Sequence, residues 1–109
     1  MKSLIGNRWV DSKDNKVIEV INPATNEVID TVPSLTKEQI DEAVQEAKIA
    51  QKEWEQVSLH QRCAVLLKFA ELVLRDKDRL AKLLSDETGK PIREAIAEIA
   101  NIQIGVRGY

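Results

Sequence analysis

Residues 28–39 read VIDTVPSLTKEQ, and the character of the chain changes within this stretch. Before its proline, β-branched residues are punctuated by turn formers, which is typical of short strands. After it, leucine, alanine, glutamate and lysine recur with the 3.6-residue period of amphipathic helices. Gln39 follows Thr36 by three residues, a capping-box spacing that marks a helix start. The sequence therefore predicts an α+β chain, with strands and turns over residues 1–33 and helices over residues 36–109.

Two hairpins are predicted in the first part. The first turns at residues 6–8, where glycine and asparagine tolerate positive φ, between short apolar segments. The second has strands at residues 16–21 and 28–32, joined by a turn at residues 22–27 that contains Asn-Pro.

Four amphipathic helices are predicted after the strands. The second begins at the capping-box spacing of Ser58 and Gln61, and the third at a cap from Asp76 or Asp78. Gly89 ends the third helix, because glycine adopts the left-handed conformation at low cost, and a proline in the first turn opens the fourth. The apolar residues of the first two helices form stripes that need a partner, and these are Ile40, Ala43, Val44, Ala47, Ala50, Trp54, Val65, Leu66, Phe69, Leu72 and Val73.

Length, composition and charge limit the classes of protein to consider. The chain has 109 residues, of which 43% are hydrophobic and 31% are charged, with a formal charge of −2. This predicts one small domain and argues against a nucleic-acid interface or a polybasic membrane patch. No apolar run approaches the roughly 18 residues that span a bilayer. Because Cys63 is the single cysteine, there is no internal disulfide, and we expect a cytoplasmic protein.

Side chains that could support catalysis are few. Cys63 and His60 lie in the same predicted helix and could pair as nucleophile and base, although a packing cysteine and a surface histidine are the commoner roles. Acidic residues that could act as general acid–base pairs are Asp76, Asp78, Asp86 and Glu87. They occur in a mixed-charge helical region where solvated faces are expected. The four glycines form no phosphate-binding loop, so the residues alone predict no catalytic and no cofactor-binding site.

Three short motifs carry a family resemblance. Residues 5–10, IGNRWV, resemble the pattern I-x-G-x-W-V, and residues 20–29, VINPATNEVI, resemble NPATGEVI. Residues 87–91, ETGKP, are followed by the Glu94, Ala95 and Glu98 pattern of ETGKPxxEAxxE. In this order and spacing, the motifs resemble the N-terminal segment of the NAD(P)-dependent aldehyde dehydrogenase superfamily. The residues of these motifs are most similar to those of the succinate-semialdehyde dehydrogenase branch.

The resemblance implies that residues 1–109 are the N-terminal part of a Rossmann-like α/β coenzyme-binding domain, without the catalytic and oligomerisation domains. The complete enzyme would oxidise an aldehyde to a carboxylic acid with NAD or NADP and would form a homo-oligomer. The family's Gly-Gln-x-Cys and Glu-Leu-Gly-Gly motifs are absent, and Cys63 does not match the nucleophile's surroundings. The chain alone is therefore expected to be inactive and to bind no coenzyme, and its partner is expected to be the remainder of the same enzyme.

One metal site is implied by the same resemblance. In several family members an alkali cation is held at positions that match the carbonyl oxygens of Val20 and Ile21 and the carboxylate of Glu87. The competing interpretation is that Glu87 is solvated near a helix end. Asn101 and Ile102 match a helix that borders the family's aldehyde entrance, or they serve in helix packing.

Two functional hypotheses outside this enzyme family remain. The chain could be a small helical protein-interaction module, without enzymatic activity, that uses its apolar stripes to bind a partner or itself. A monomeric, cooperatively folded chain that binds no hydrophobic dye would favour such a module. A stand-alone enzyme that uses Cys63 with His60 is the other reading, and normal turnover in a Cys63→Ala variant would exclude it.

Overall fold

The structure, a computed structural model, describes residues 1–108, with Arg107 as backbone only. The elements are β1 (Ser3–Ile5), β2 (Arg8–Val10), β3 (Val17–Ile21), β4 (Val28–Pro33), α1 (Lys37–Gln56), α2 (Leu59–Arg75), α3 (Lys77–Thr88) and α4 (Ile92–Gly108). The predicted α+β chain of short strands and four helices is confirmed. The elements form two compact units: β1 to β4 with α1, and α2 to α4 with the turn at Asn22–Glu27.

The first hairpin, β1–β2, turns tightly. Ile5 pairs with Arg8, so the turn consists of Gly6 and Asn7 alone. Both residues have positive φ, 52° and 63°, as a type I′ turn requires. Arg8, which is predicted to lie in the turn, is the first residue of β2, because a two-residue turn matches the twist of the strands.

The second hairpin, β3–β4, is also antiparallel and contains a bulge. Val20 pairs with Asp30, but Ile21 pairs with Val28, which leaves Ile29 as an extra residue on β4. Such a bulge disrupts the ladder locally, so the regular exchange of backbone hydrogen bonds is interrupted at the end of β3.

Helix α1 begins at the predicted capping box. The Gln39 N–H donates to Thr36 Oγ1 at 3.3 Å, and the Thr36 N–H donates to Gln39 Oε1 at 3.2 Å. Gln39 is also buried, at 3% exposure. Its Oε1 accepts from the Lys13 N–H at 3.0 Å, and its Nε2 donates to the Asp11 carbonyl oxygen at 2.9 Å. The cap therefore also holds the loop between β2 and β3 against the start of α1.

The starts of α2 and α3 differ from the predicted caps. Ser58 Oγ accepts from the Gln61 N–H at 3.3 Å, but Gln61 Oε1 accepts from the Ser58 hydroxyl, at 3.0 Å, and so forms no reciprocal box. Asp76 occupies the N-cap position of α3 without a side-chain cap. Its carboxylate accepts from Arg75 Nε at 2.8 Å and Arg79 Nη2 at 3.1 Å instead, because two guanidinium groups compete for it.

The link between α3 and α4 follows the prediction closely. Gly89 ends α3 in the left-handed conformation, with a φ of 72°. Helix α4 begins at Ile92, one residue later than predicted, because the Pro91 carbonyl oxygen accepts the first helical hydrogen bonds, including one from the Ala95 N–H at 3.1 Å. Pro91 therefore precedes the first turn.

Small side chains dominate the buried positions of the second unit. Ala70 and Val73 of α2, Ala81 of α3 and Ala95 of α4 are buried, and α4 packs against both other helices. Alanine at these positions lets the helix backbones approach closely. In the first unit, Ile5 is buried.

The predicted apolar stripes remain largely exposed. The larger stripe residues that are at least 36% exposed are Ile40, Val44, Trp54, Val65, Leu66, Phe69 and Leu72, and Ala47 and Ala50 are exposed as well. A protein interior would normally take such side chains out of water. Within residues 1–108, no helix combines the length and apolar character that a membrane crossing requires.

Candidate functional site

The Asn-Pro turn in the second unit is closed by its own hydrogen bonds. Asn22 Oδ1 accepts from the Ala24 N–H at 2.9 Å, and the Asn22 carbonyl oxygen accepts from the Asn26 N–H at 2.8 Å. Asn26 has a φ of 60°, which asparagine tolerates better than other residues with a β-carbon. Asparagine can therefore replace the glycine of the family pattern here.

The ETGKP loop between α3 and α4 is also internally bonded. The Thr88 hydroxyl donates to the Leu84 carbonyl oxygen at 2.6 Å, and the Ser85 hydroxyl donates to the Lys90 carbonyl oxygen at 2.6 Å. Lys90 Nζ forms an ion pair with Glu98. These contacts fix the loop conformation from both of its helices.

The two motifs touch each other at Gly89 and Pro23. A β-carbon built on Gly89 would lie 3.0 Å from Pro23 Cγ, closer than ordinary van der Waals contact. Gly89 is thus required both by its positive φ and by the proline ring beside it. Pro23 and Gly89 are more than sixty residues apart in sequence, yet they belong to one local structure.

The residues predicted to hold an alkali cation are distributed over both units. Val20 and Ile21 lie beside the bulge in the first unit, and Glu87 lies in the last turn of α3 with an exposed side chain. Backbone carbonyl and carboxylate oxygens are hard donors that suit such an ion. In the described chain, no three His, Cys, Asp or Glu side chains cluster as metal ligands. The cation site stays a prediction.

Asn101 and Ile102 are the other residues that the resemblance singled out. Both lie on α4 and are exposed, so neither belongs to the buried positions of the second unit. A role in packing α4 against α2 or α3 is therefore not evident from their burial.

Cys63 and His60 lie in the first turns of α2. Both side chains are exposed, and within residues 1–108 no hydrogen bond joins them. An activated nucleophile needs a base within hydrogen-bond reach and a third group to orient that base. The described contacts include neither, and the pair has no geometry for catalysis.

Two of the four candidate acidic residues, Asp76 and Asp86, form surface ion pairs. Hydrogen bonds from Arg75 and then Arg79 lower the pKa of Asp76 from 3.8 to about 2. Asp86 pairs with Lys82 at 2.7 Å. A general acid needs a pKa raised towards the working pH. The shift at Asp76 has the opposite direction, which argues against an acid–base dyad.

Arg62 is a residue that the sequence did not single out. Its Nε is buried and has no hydrogen-bond partner in the described part of the chain. A usable signal was available, because Arg62 is a charged residue within the apolar stripe of α2.

Comparison with known proteins identifies the relatives of this chain. A sequence profile of the aldehyde dehydrogenase family matches residues 9–107. Malonate-semialdehyde dehydrogenase from Bacillus subtilis (strain 168) is 41% identical over 99 residues, which are 91% of this chain and 20% of that enzyme. The chain therefore spans about a fifth of the length of this relative.

Solved structures agree with the sequence match. Succinate-semialdehyde dehydrogenase from Burkholderia pseudomallei is similar with a TM-score of 0.87 and 34% identity, over 91% of this chain and 20% of that one. NADP-dependent glyceraldehyde-3-phosphate dehydrogenase from Bacillus halodurans C-125, solved with NADP, is similar with a TM-score of 0.91 and 30% identity. The match covers 97% of this chain and 23% of that one. The profile, the sequence identity and the shared fold together place this chain in the aldehyde dehydrogenase family.

Proposed function

We propose that residues 1–109 form the N-terminal part of the coenzyme-binding domain of an NAD(P)-dependent aldehyde dehydrogenase. The whole enzyme oxidises an aldehyde to a carboxylic acid. The observation that carries this proposal is the family match over residues 9–107, a range that contains the Asn-Pro turn and, after it, the ETGKP loop. The fold similarity to NADP-dependent glyceraldehyde-3-phosphate dehydrogenase, at a TM-score of 0.91, supports it independently.

A short semialdehyde is the substrate class that the relatives support. Malonate- and succinate-semialdehyde dehydrogenases are among them, and another relative was solved with NADP. The residues of this chain do not fit a nicotinamide coenzyme, because its four glycines form no phosphate-binding loop. The family's Gly-Gln-x-Cys and Glu-Leu-Gly-Gly motifs are also absent, so we place the coenzyme-binding residues, the nucleophile and the general base outside residues 1–109. We accordingly propose that the 109-residue chain alone has no dehydrogenase activity. We also propose that the whole enzyme is cytoplasmic and homo-oligomeric.

A chimera tests the proposal directly. The 99 residues of this chain that match the Bacillus subtilis enzyme would replace the corresponding residues of that enzyme, and formation of reduced coenzyme would be measured with that enzyme's own aldehyde. We expect activity of the same order as the parent, and none from the parent lacking this segment. A chimera that folds and assembles like the parent but produces no reduced coenzyme would contradict the proposal.

The alkali cation site at Val20, Ile21 and Glu87 is proposed for the same whole enzyme. These residues would supply two carbonyl oxygens and one carboxylate to the ion. The test compares the melting temperature of the chimera in sodium chloride and in N-methylglucamine chloride at equal ionic strength. We expect a stabilisation specific to sodium that Glu87→Gln removes. An equal melting temperature in both salts would refute the site.

A protein-interaction module is the second candidate, although the exposed apolar residues of α1 and α2 fit a segment of a larger enzyme equally well. Sedimentation and hydrophobic-dye binding of the 109-residue chain address it. A cooperatively folded monomer without dye binding supports an independent module. Dye binding that disappears when the segment is part of the chimera supports the enzyme instead.

A further inference from the structure

One face of α2 combines exposed apolar side chains with a central arginine. Leu59, Val65, Leu66 and Phe69 are exposed by 70%, 55%, 51% and 50%. Relative to Arg62 they occupy positions i−3, i+3, i+4 and i+7, so all five residues share one face of the helix. We call this surface the α2 face. It is apolar throughout except at its centre.

Arg62 differs from the paired arginines of the chain. Carboxylate oxygens lie within 3.1 Å of a guanidinium nitrogen of Arg8, Arg75 and Arg79. The buried Nε of Arg62 has no acceptor among residues 1–108. An unmade hydrogen bond at a buried charged group is unfavourable. A guanidinium group is shaped to bind a carboxylate through two parallel N–H groups.

We propose that the α2 face docks onto an apolar surface of the rest of the aldehyde dehydrogenase polypeptide, and that a carboxylate on that surface pairs with Arg62. This inference depends on the proposed function. The relative from Bacillus subtilis is about five times as long as the matched segment, so most of its fold lies outside the part that this chain represents. The covering surface is apolar opposite the four hydrophobic side chains and acidic opposite the guanidinium group.

A second copy of the chain fits this face less well. If two α2 faces met about a twofold axis, each would bring one Arg62 and no carboxylate, because the other four residues of the face are apolar. Two guanidinium groups would then be desolvated without counter-charges, which is strongly unfavourable. The charge of the face therefore selects an acidic partner surface.

The test uses the chimera described above and its Arg62→Met variant, which keeps side-chain length and removes the charge. Arg79→Met is the control, because Arg79 pairs with Asp76 at the surface. We expect Arg62→Met to lower the apparent melting temperature by roughly 3 °C or more, and Arg79→Met by less than about 1 °C. In the 109-residue chain alone, Arg62→Met should not lower it, because no partner is lost there.

Three further outcomes decide the proposal. Equal melting temperatures for the Arg62→Met and Arg79→Met chimeras would overturn it. It would also be overturned if Arg62→Met lowered the melting temperature of the isolated chain as much as that of the chimera, because Arg62 would then act within this segment. If Arg62→Met prevents folding of the chimera but not of the isolated chain, the proposal is supported, and Arg62→Lys should partly restore the chimera. Because melting temperature is the readout, a folded chimera without activity contradicts only the proposed function.

Discussion

Gly89→Ala should destabilise the 109-residue chain, although alanine is the better residue in most helical contexts. Gly89 has a φ of 72°, in the left-handed region that costs a residue with a β-carbon about 1–2 kcal/mol. The new β-carbon would also lie 3.0 Å from Pro23 Cγ, and a proline ring can move little to relieve this. Reduced entropy of the unfolded chain returns about 0.4–1 kcal/mol. Crowding against the proline ring adds about 1 kcal/mol, so we expect a net loss of about 1–2 kcal/mol.

Gly105→Ala is the matched control, because it makes the same chemical change in a different environment. Gly105 lies within α4, and a β-carbon there meets nothing within 4 Å. Alanine is favoured over glycine in a helix interior by about 1 kcal/mol. The two variants should therefore shift stability in opposite directions.

Urea denaturation followed by far-UV circular dichroism measures both variants against the parent chain. A loss of about 1–2 kcal/mol corresponds to a melting temperature roughly 4–10 °C lower for a unit of this size. The double variant with Pro23→Ala separates the two causes, because steric contact with the ring appears as coupling between the sites. If Gly89→Ala were as stable as the parent, the left-handed helix end and the contact with Pro23 would both be refuted.

Three other outcomes are expected. Gln39→Ala should lower the free energy of unfolding by roughly 2–3 kcal/mol in urea denaturation, because the buried side chain makes three hydrogen bonds. Gln39→Glu should not restore that stability, because a buried carboxylate oxygen would then face the Asp11 carbonyl oxygen. Asp76 has its pKa lowered to about 2 by Arg75 and Arg79, so its contribution to stability is present above pH 3.8 and is lost as the pH falls through about 2. Asp76→Asn should remove that part of the acid dependence, and an NMR titration that places the Asp76 pKa near 3.8 would contradict it. The isolated chain should form no reduced coenzyme from any semialdehyde, and measurable turnover would show that it contains an active site.

The order of elements was predictable because their signals are local. The cap at Thr36, the positive φ at Asn26 and the helix end at Gly89 each depend on the conformational preferences of a few adjacent residues. At the start of α3, where the predicted cap is not formed, a competing partner is the reason. The carboxylate of Asp76 binds two guanidinium groups rather than a backbone N–H of α3.

The candidate site was predictable only in part. The motifs were visible in the sequence, but the contact between Gly89 and Pro23 joins residues that are distant in the chain. The unpaired Nε of Arg62 was likewise not predictable, because hydrogen-bond satisfaction depends on which groups the fold brings within reach.

By itself, the sequence determined the hairpins, the four helices, the family and the apolar character of the stripes, since each follows from short-range pattern or motif. Only the tertiary structure decided which apolar residues are buried. Ala70, Ala81 and Ala95 fill the close helix contacts, while the larger Leu66 and Phe69 remain exposed. Periodicity identifies an apolar face, but burial requires a second surface of complementary shape, and that depends on how distant segments pack.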